Sequence, residues 1–574
     1  MSGRAPFPRP REMTTGEPAL ELGPGLPDLE RETDPDLSEG PQGYRLEVDE
    51  RGARLTAADK AGFHYGESTF AQLVEASRAR DGVLPRLSVR DRPSFLERGV
   101  MLDVSRDRVP TMGTLFELVD RLARWRINRL QLYTEHTFAY TGHERVWRGA
   151  SPFTADEIRA LDVYCRERFV ELVPNQQSCG HLHRWLVHEP YRALAECPDG
   201  VEHPFSLERE PFSLCPTDPG SLALLGGLYD ELLPCFQSRD FNVGLDETFD
   251  LGLGRSKEAC REKGVGRVYL DFLLGVHALV AGRGRRMQFW ADIVLRHPEL
   301  VGELPRDVVP LLWGYEADHP FEREAAALAE SGLAWHICPG TSSWQSIAGR
   351  TDNMLANVAA AARHGVAHGA TGLFVTDWGD RGHWQPLPVS YPGFLYAAAL
   401  GWNADDPGDT KLDLEGLLDT HAFEGEGWGR VVLELGRVDR AIGARVENGN
   451  APFFLLASAL EPALMERVEG LTVEGLERGL AHLEAALAGL PEARSGRSDA
   501  GLLRRELDWA AGLLRLACRR GIRRLGTIPA GGDESAGDLR SWIEEHRALW
   551  LARSRPGGLE ASAGRLARCL GALE

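Results

Sequence analysis

The stretch Phe241-Asn-Val-Gly-Leu-Asp-Glu-Thr248 decides the fold, because a short apolar run here leads to two adjacent carboxylates, Asp246 and Glu247. Side chains alternate faces along a strand, and the alternation relaxes where a strand becomes a loop, so both acids can reach one pocket. An Asp-Glu pair alone is more often a solvated loop or the first turn of a helix. Seven other apolar runs of similar length also end in polar or aromatic residues, and this context favours a site of acid/base chemistry.

Residues 95–405 alternate between strand-like and helix-like segments, which predicts a parallel sheet with crossover helices. Eight strands in about 300 residues fit a (β/α)8 TIM barrel better than an open doubly wound sheet. The expected strands are Arg98–Val104, Arg129–Thr134, Glu171–Gln176, Phe241–Leu245, Met287–Asp292, Val308–Gly314, Leu333–Cys338 and Gly372–Trp378. Catalytic groups are then expected at the carboxyl ends of the strands.

The segments that flank this barrel differ from it in composition. Residues 1–40 are rich in Pro, Gly and acids without periodicity, and we expect a flexible lead or a loosely docked strand. Residues 41–94 predict a small α+β domain that begins with a hairpin from Tyr44 to Ala57. Residues 406–574 contain Leu/Ala/Arg/Glu runs at helical spacing and predict a helical C-terminal domain. Its apolar stripes suit an interhelix core or the contact of a homo-oligomer.

The composition predicts a globular enzyme without nucleic-acid or membrane partners. The 574 residues include 85 acidic and 65 basic side chains, and the formal charge of −20 repels phosphate backbones. No signal peptide and no run of ~18 uncharged apolar residues is present, so we expect a cytoplasmic protein. Nine cysteines without a Cys-x-x-Cys motif suit neither a disulfide framework nor a zinc ribbon, and we expect reduced, buried thiols.

The ends of the predicted strands combine carboxylates with tryptophans. These positions hold Glu135, His136, His181, His183, Asp246, Glu247, Trp290, Asp292, Trp313, Trp344, Asp377, Trp378 and Asp380. Sugar rings stack their C–H faces on aromatic surfaces, whereas their hydroxyls require carboxylate, His or Arg partners. A single tryptophan at a barrel rim is more often part of the core, but four at equivalent positions favour a sugar site.

Three motifs resemble those of glycoside hydrolase family 20, the β-N-acetylhexosaminidases. Glu97–Arg106 followed by Arg126–Leu132 resembles the opening of the family's catalytic barrel, and Asn242–Glu247 resembles its acidic signature. Gly43–Val48 with Gly62–Leu73 is similar to the accessory N-terminal domain. The combination is far more specific than any one motif.

The resemblance implies an exo-acting, retaining hydrolysis of terminal β-linked GlcNAc or GalNAc from an amino-sugar glycoside, without a metal or organic cofactor. Glu247 would be the general acid/base. Asp246 would orient the 2-acetamido group, whose carbonyl oxygen attacks the anomeric carbon to give an oxazolinium-type intermediate. Because a general acid must hold a proton near neutral pH, we expect Glu247 to be shielded from solvent and close to Asp246.

Further roles follow from the same resemblance. Arg98 falls where the family's strand-one arginine binds hydroxyls of the non-reducing sugar, although it could instead pair with an internal acid such as Asp103. His181 together with Glu135 would support the catalytic glutamate. The expected walls around the acetamide and the sugar face are Trp290, Trp313 and Trp378.

One loop departs from the family pattern. Where the family shows a Tyr and, two residues on, an Asp, this chain reads Trp344-Gln-Ser346. An indole N–H can replace the tyrosine hydroxyl as donor, but Ser346 cannot replace a carboxylate. Either the tolerance at the sugar's outer hydroxyls is broader, or another acid such as Asp380 takes the role. The choice between GlcNAc and GalNAc stays open.

Two other functions compete with this interpretation. His181-Leu-His183 at a strand end could bind a divalent ion with acids from other strands, as in a metal-dependent hydrolase on a TIM barrel. The loop at Trp344 and Ser346 could instead have disabled catalysis, which would leave a carbohydrate-binding barrel. The intact pair of Asp246 and Glu247 argues against the second.

Overall fold

The computed structural model describes residues 6–404, 412–488, 490, 494–526 and 536–571. These residues form an N-terminal α/β domain, an eight-stranded parallel barrel and a helical C-terminal region. The predicted fold class is confirmed.

The N-terminal domain is a five-stranded sheet covered by one long helix, Lys60–Arg80, in the described part of the chain. Its strands, in spatial order β1-β5-β3-β4-β2, are β1 Glu12–Glu21, β2 Leu29–Thr33, β3 Tyr44–Asp49, β4 Gly52–Ala57 and β5 Val83–Asp91. The predicted hairpin is the antiparallel pair β3 and β4.

Of the two alternatives expected for residues 1–40, β1 and β2 contradict the flexible lead and agree with docked strands. The strand β1 pairs with β5, and β2 pairs with β4. Both strands lie at edges of the sheet, and β2 is largely exposed. An edge strand with few buried side chains lacks the alternating hydrophobic pattern by which strands are recognised.

The barrel consists of eight parallel strands within the described residues, each close to a predicted strand. They are β6 Glu97–Asp103, β7 Arg129–Tyr133, β8 Glu171–Val173, β9 Asp240–Asn242, β10 Arg286–Trp290, β11 Val309–Trp313, β12 His336–Cys338 and β13 Gly372–Asp377. The order is β8-β7-β6-β13-β12-β11-β10-β9. Hydrogen bonds between β8 and β9 close the ring: the Asn242 N–H donates to the Pro174 carbonyl at 3.0 Å, and the Gln176 N–H to the Asn242 carbonyl at 3.0 Å.

A helix follows each barrel strand, as a (β/α)8 fold requires. The helices are Met112–Arg124, Ala155–Arg166, Pro219–Leu232, Val265–Ala281, Asp292–Arg296, Phe321–Ser331, Thr351–Ala367 and Tyr391–Trp402. Shorter helices in the loops are Glu144–Trp147, His183–Leu186, Glu189–Arg192 and Lys257–Lys263.

The N-terminal domain covers the end of the barrel where the strands begin. Arg126, in the turn before β7, forms an ion pair with Asp91 of β5 at 3.0 Å, and both side chains are fully buried. The Trp402 indole N–H also donates to Asp91. This docking leaves the carboxyl ends of the strands free.

The C-terminal region is helical, as predicted. Its helices are Leu414–His421, Trp428–Gly436, Val438–Ile442, Ala451–Ala457, Val473–Leu487, Ala500–Leu525, Ala536–Arg553 and Leu559–Leu570. Two short antiparallel pairs join them, one of which links Arg445–Val446 to Val468–Glu469. The region packs on the barrel: the Arg553 carbonyl accepts the Thr111 N–H at 3.0 Å, and Asn450 donates to the Ser346 carbonyl at 2.8 Å.

In the ranges given above, no single helix is long and apolar enough to cross a membrane. Two successive helices, Lys257–Lys263 and Val265–Ala281, reach the required length and apolar composition only when taken together, and they are bent by 109° where they meet. The nine cysteines all lie in those ranges and are free thiols, and eight of them are buried.

Candidate active site

A cleft of about 340 Å³ opens at the carboxyl ends of the barrel strands. Its carboxylates are Asp246, Glu247, Glu316, Asp380 and Glu447, and its arginines are Arg106, Arg381 and Arg467. Its aromatic lining is Phe205, Trp290, Trp313, Tyr315, Trp344 and Trp378. The sequence-predicted acids and tryptophans therefore meet in one place.

The backbone after β9 brings Asp246 and Glu247 to the same side. Left-handed φ values at Gly244 (71°), Leu245 (72°) and Glu247 (51°) interrupt the alternation of a regular strand. Glycine at position 244 leaves room for Gln177, since a Cβ there would lie 1.6 Å from its Oε1 and would force that side chain to move. A non-glycine residue in the left-handed conformation costs of order 1–3 kcal/mol of stability, and such backbone strain is common at functional sites.

His181 bridges the two acids. Its Nε2 lies 3.3 Å from Oδ2 of Asp246 and 3.2 Å from Oε2 of Glu247. These are ion-pair distances, but the angles at Nε2 do not meet the criteria for a hydrogen bond. Burial disfavours the charged imidazolium, but the two carboxylates outweigh it and raise the pKa of His181 to about 10. The ring is therefore protonated at neutral pH, and it draws both acids into one cluster.

Asp246 is held ionised. Burial raises the pKa of this carboxyl, but His181 and the amide of Gln177 outweigh burial and hold the pKa below its usual value. Gln177 donates to Oδ1 of Asp246 at 2.9 Å and to the Tyr133 hydroxyl at 3.0 Å. The Tyr133 hydroxyl donates in turn to Glu135 at 3.0 Å, so a buried polar chain fixes the orientation of Asp246.

Glu135 lies behind His181 rather than in the cleft. Its Oε1 is 4.0 Å from Nδ1 of His181, and its backbone N–H donates to Ser105. Burial raises the pKa of Glu135, opposed by the charges of Arg106 and His181. Glu135 is therefore close enough to stabilise the charge of His181, but it makes no hydrogen bond to the ring.

The histidines next in sequence do not join this cluster. His136 is buried, and desolvation lowers its pKa to about 3. His183 packs against His203 and Phe212, and burial lowers its pKa far below the usual value. The His181-Leu-His183 pair required by the metal-dependent alternative is thus not formed, since only His181 approaches the acids.

Arg98 is not at the cleft, and the substrate-binding role expected for it is wrong. It lies at the start of β6, fully buried, and donates to Gln42 at 3.0 Å and to the Tyr65 hydroxyl at 3.0 Å. These partners belong to the N-terminal domain. The physical reason is the position along the strand: Arg98 lies at the amino end of β6, whereas the active site of a barrel forms at the carboxyl ends of its strands.

Arg106, eight residues further along, occupies the cleft instead. Its guanidinium lies 3.1 Å from Asp103 and 3.3 Å from Asp380. It also lies about 5 Å from the ring centres of Trp378, Tyr133 and Phe205. Burial disfavours its charge, but the surrounding oxygens raise the pKa of Arg106 further above its usual value. A rigid multi-donor cation of this kind suits hydroxyl recognition.

The tryptophans form one aromatic wall. Trp290 and Trp378 have ring centres 6.2 Å apart, and Trp313 stacks on Tyr315 at 5.1 Å. The indole N–H groups of Trp290, Trp313 and Trp378 have no hydrogen-bond partner among the described residues. Tyr315 was missed by the sequence analysis, because it lies two residues beyond the tryptophan that marks the end of β11.

The loop after β12 differs from expectation. Trp344 lines the cleft, but its indole N–H already donates to Oδ1 of Asn448 at 2.8 Å, so it does not replace a free tyrosine hydroxyl. The Ser346 hydroxyl is engaged within its own turn, with the Ser343 carbonyl and the Gly349 N–H. Asp380 lies in the cleft, whereas Asp377 is buried beneath it and accepts from Thr341, Ser343 and Ser390.

A third carboxylate, that of Asp292, lies close to Asp246 and Glu247. Its Oδ2 accepts the backbone N–H of Glu247 at 3.3 Å. Burial and the charges of Asp246 and Glu247 raise the pKa of Asp292 to about 7. The sequence located this acid at a strand end but gave no indication of the contact.

Glu247 is the most open member of the cluster. Its side chain is 29% exposed, against 11% for Asp246. The expected negative neighbour is present, but the expected shielding from solvent is not. Glu247 faces the cleft, where a bound ligand would cover it.

The barrel, the paired acids and the aromatic cleft define the class of the protein, a (β/α)8 barrel with a carboxylate-lined cleft at the carboxyl ends of its strands. Residues 95–342 match the model of glycosyl hydrolase family 20, catalytic domain, and residues 8–92 match that of glycosyl hydrolase family 20, domain 2. The chain belongs to glycoside hydrolase family 20. The catalytic-domain match ends before β13 and the helical C-terminal region.

The chain is similar to a beta-hexosaminidase of Vibrio furnissii, with 25% identity over 56% of each chain. It is also similar to a lacto-N-biosidase of Bifidobacterium bifidum, with 21% identity over 66% of this chain and 34% of the relative. The match thus spans about half of the first relative and a third of the second. A chitobiase structure from Flavobacterium johnsoniae shares the fold, with a TM-score of 0.59, 16% identity, and 95% and 96% coverage of the two chains.

Proposed function

We propose that the protein is an exo-acting, retaining β-N-acetylhexosaminidase that hydrolyses terminal non-reducing β-linked GlcNAc or GalNAc through substrate participation. The observation that carries this proposal is the approach of both acids to one histidine nitrogen. One oxygen each of Asp246 and Glu247, with that nitrogen, lie within 4.8 Å of one another. This separation is shorter than the ~5–5.5 Å between nucleophile and acid in the usual retaining scheme, which supports a nucleophile supplied by the substrate.

The substrate then supplies the nucleophile. Asp246, ionised and fixed by Gln177, accepts the acetamide N–H and favours attack of the acetamide oxygen on the anomeric carbon. Glu247 transfers its proton to the glycosidic oxygen as the bond to the aglycone breaks, and the alcohol leaves. Glu247 then takes a proton from water, which opens the oxazolinium ring at the anomeric carbon and returns the sugar with retained configuration.

The remaining cleft residues support binding. Trp290, Trp313 and Trp378 offer apolar faces for the acetamide methyl and the sugar ring. Arg106 and Asp380, which are 3.3 Å apart, offer a donor and an acceptor for ring hydroxyls. His181 neutralises part of the charge of the two acids and keeps them together.

The test is the initial rate of hydrolysis of aryl β-glycosides of GlcNAc, GalNAc and glucose by the purified full chain, with and without a chelator. The proposal predicts turnover of the two acetamido sugars alone, at rates that the chelator leaves unchanged. Cleavage of the glucoside at a similar rate, or loss of activity on chelation, would refute substrate participation or favour the metal-dependent alternative. No turnover of any substrate would favour a binding barrel.

A further inference from the structure

The C-terminal region supplies part of the cleft wall. Glu447, Asn448 and Arg467, which flank the short strand pair Arg445–Val446 and Val468–Glu469, line the cleft together with barrel residues. These residues lie beyond the segment that matches the family's catalytic domain. The C-terminal region therefore completes the cleft wall from outside the matched segment.

Asn448 is the best-anchored of the three. Its backbone has a left-handed φ of 53°, a conformation that Asn adopts more readily than most residues. Its N–H donates to Oε1 of Glu316 at 2.9 Å, and Glu316 is gripped by Arg350 through two bonds of 3.0 and 2.8 Å. The loops after β11 and β12 thus fix the backbone of Asn448.

The amide of Asn448 has a defined direction. Trp344 contacts it through an indole N–H, which can only donate, so the atom that faces the indole must be the amide oxygen. The Nδ2 group therefore points away from Trp344. Within the described residues Nδ2 has no hydrogen-bond partner, and the side chain is partly exposed on the cleft.

The neighbours of Asn448 place this donor beside the aromatic pocket. Trp344 packs edge-on against Tyr315 at 5.1 Å and belongs to the same buried cluster as Trp290 and Trp378. Gln345, next to Trp344 on the same loop, donates to Asp380 at 3.4 Å, and Ser346 uses its hydroxyl within its own turn. Among these neighbours, uncommitted donors remain on Asn448 and on the indoles of Trp290 and Trp378, and of these three Asn448 is the one that the C-terminal region supplies.

We propose that Asn448 is a specificity-determining residue whose Nδ2 donates a hydrogen bond to a ring hydroxyl of the terminal sugar. This inference rests on the proposed function. Its consequence is that the C-terminal region forms part of the substrate site. A fixed donor costs little entropy on binding, and a site built to bond a hydroxyl discriminates against an analogue that lacks it.

The experiment compares kcat/KM of wild type, Asn448→Gly and Asn448→Asp on aryl β-GlcNAc and on its 3-, 4- and 6-deoxy analogues. Gly accepts the left-handed backbone without strain, and Asp keeps the shape and the bond to Trp344 but has no donor. Both variants should lose roughly 5- to 20-fold on the parent sugar. On the one deoxy analogue that lacks the partner hydroxyl, each variant should fall within about 2-fold of wild type.

Controls separate recognition from folding. Asn450 is the matched residue: its amide is fully used between the Ser346 carbonyl and the Phe453 N–H, so Asn450→Ala should lower the melting temperature while leaving the relative rates on the four sugars unchanged. Trp344→Phe removes the donor that orients Asn448. The double variant Trp344→Phe/Asn448→Gly should lose less kcat/KM than the sum of the two single effects, because both changes act on the same hydrogen bond.

The outcomes distinguish the two proposals. Equal losses on all four sugars, or no loss on any, would overturn the role of Asn448 while the hydrolase activity stands. If the wild-type protein turns over none of the acetamido sugars, the proposed function fails and this inference fails with it. A melting temperature of each Asn448 variant within a few degrees of wild type excludes misfolding as the cause.

Discussion

Glu247 and Asp246 are adjacent, yet we expect their replacement to have different effects. Glu247→Gln removes the proton donor, so the rate should fall about 10²-fold or more on substrates with poor leaving groups and less on activated aryl glycosides. Asp246→Asn keeps an acceptor but removes the negative charge that stabilises the developing oxazolinium cation, so it should slow acetamido sugars whatever the leaving group. Hydrolysis rates of the two variants over a series of leaving groups measure both effects. Equal losses for Glu247→Gln across that series would contradict its role as the acid.

Asp292 predicts a pH dependence of stability. Its pKa is about 7 in the folded protein against an ordinary value of 3.8, so its contribution is complete below pH 3.8 and is lost as the pH rises through 7. An asparagine in its place would keep an acceptor for the Glu247 N–H without a charge. Asp292→Asn should therefore gain stability relative to wild type as the pH rises from 3.8 to 7 and keep that gain above pH 7, by up to about 4 kcal/mol.

The free energy of unfolding of both proteins at pH 4.5, 6 and 8 checks this. The groups that face Asp292 are Asp246, Glu247 and, at 3.8 Å, Arg296. Because they interact with Asp292, their own titration changes with its charge, and the difference between the two proteins reports the coupled group. Parallel curves over the whole range would show that Asp292 is ionised throughout.

At the scale of the element, the exit of β9 is the part under most constraint. Gly244 combines a φ of 71° with the close approach of Gln177, whereas Gly284 has a φ of 69° and open space around it. Gly284→Ala should cost roughly 1 kcal/mol from backbone strain alone. Gly244→Ala should cost about 2 kcal/mol more and also reduce kcat, because Gln177 must move away from Asp246. Equal losses of stability in the two variants would contradict a steric role for Gln177.

The sequence predicted elements better than it predicted contacts. The eight strands and both acids were found because apolar runs ending in carboxylates are local patterns. Arg98 was confused with Arg106 because both lie in one motif, and only the strand's end decides which of them reaches the cleft. The partners of Trp344 and Glu247, Asn448 and Asp292, lie 104 and 45 positions away along the chain. No local pattern encodes such pairs.

At the scale of the whole molecule, a buried ion pair between two C-terminal helices fixes Arg553, whose backbone carbonyl contacts the barrel. Glu506 accepts two hydrogen bonds from Arg553, at 2.6 and 2.7 Å, and both side chains are buried. The Arg553 carbonyl meets Thr111 and Thr114 at the start of the first barrel helix. We infer that the two parts unfold together.

Glu506→Gln should destabilise the protein by about 3–5 kcal/mol, because it leaves the buried Arg553 without its main counter-charge. Glu545 provides the matched control, since it pairs with Arg505 across the same two helices at the surface. Glu545→Gln should cost under about 1 kcal/mol. Calorimetry should show one shifted transition for Glu506→Gln, and a separate early transition for the C-terminal helices would contradict joint unfolding.

The central claim is that the acetamide of the substrate is the nucleophile, and its fluorination tests this most directly. The measurement is kcat/KM for aryl β-glucosaminides that carry N-acetyl, N-fluoroacetyl, N-difluoroacetyl and N-trifluoroacetyl groups. Each fluorine withdraws electrons from the carbonyl oxygen, so the rate should fall stepwise, by roughly 10²-fold or more over the series. A rate that stays within about 2-fold across all four would show that the acetamide takes no part, and would contradict the account.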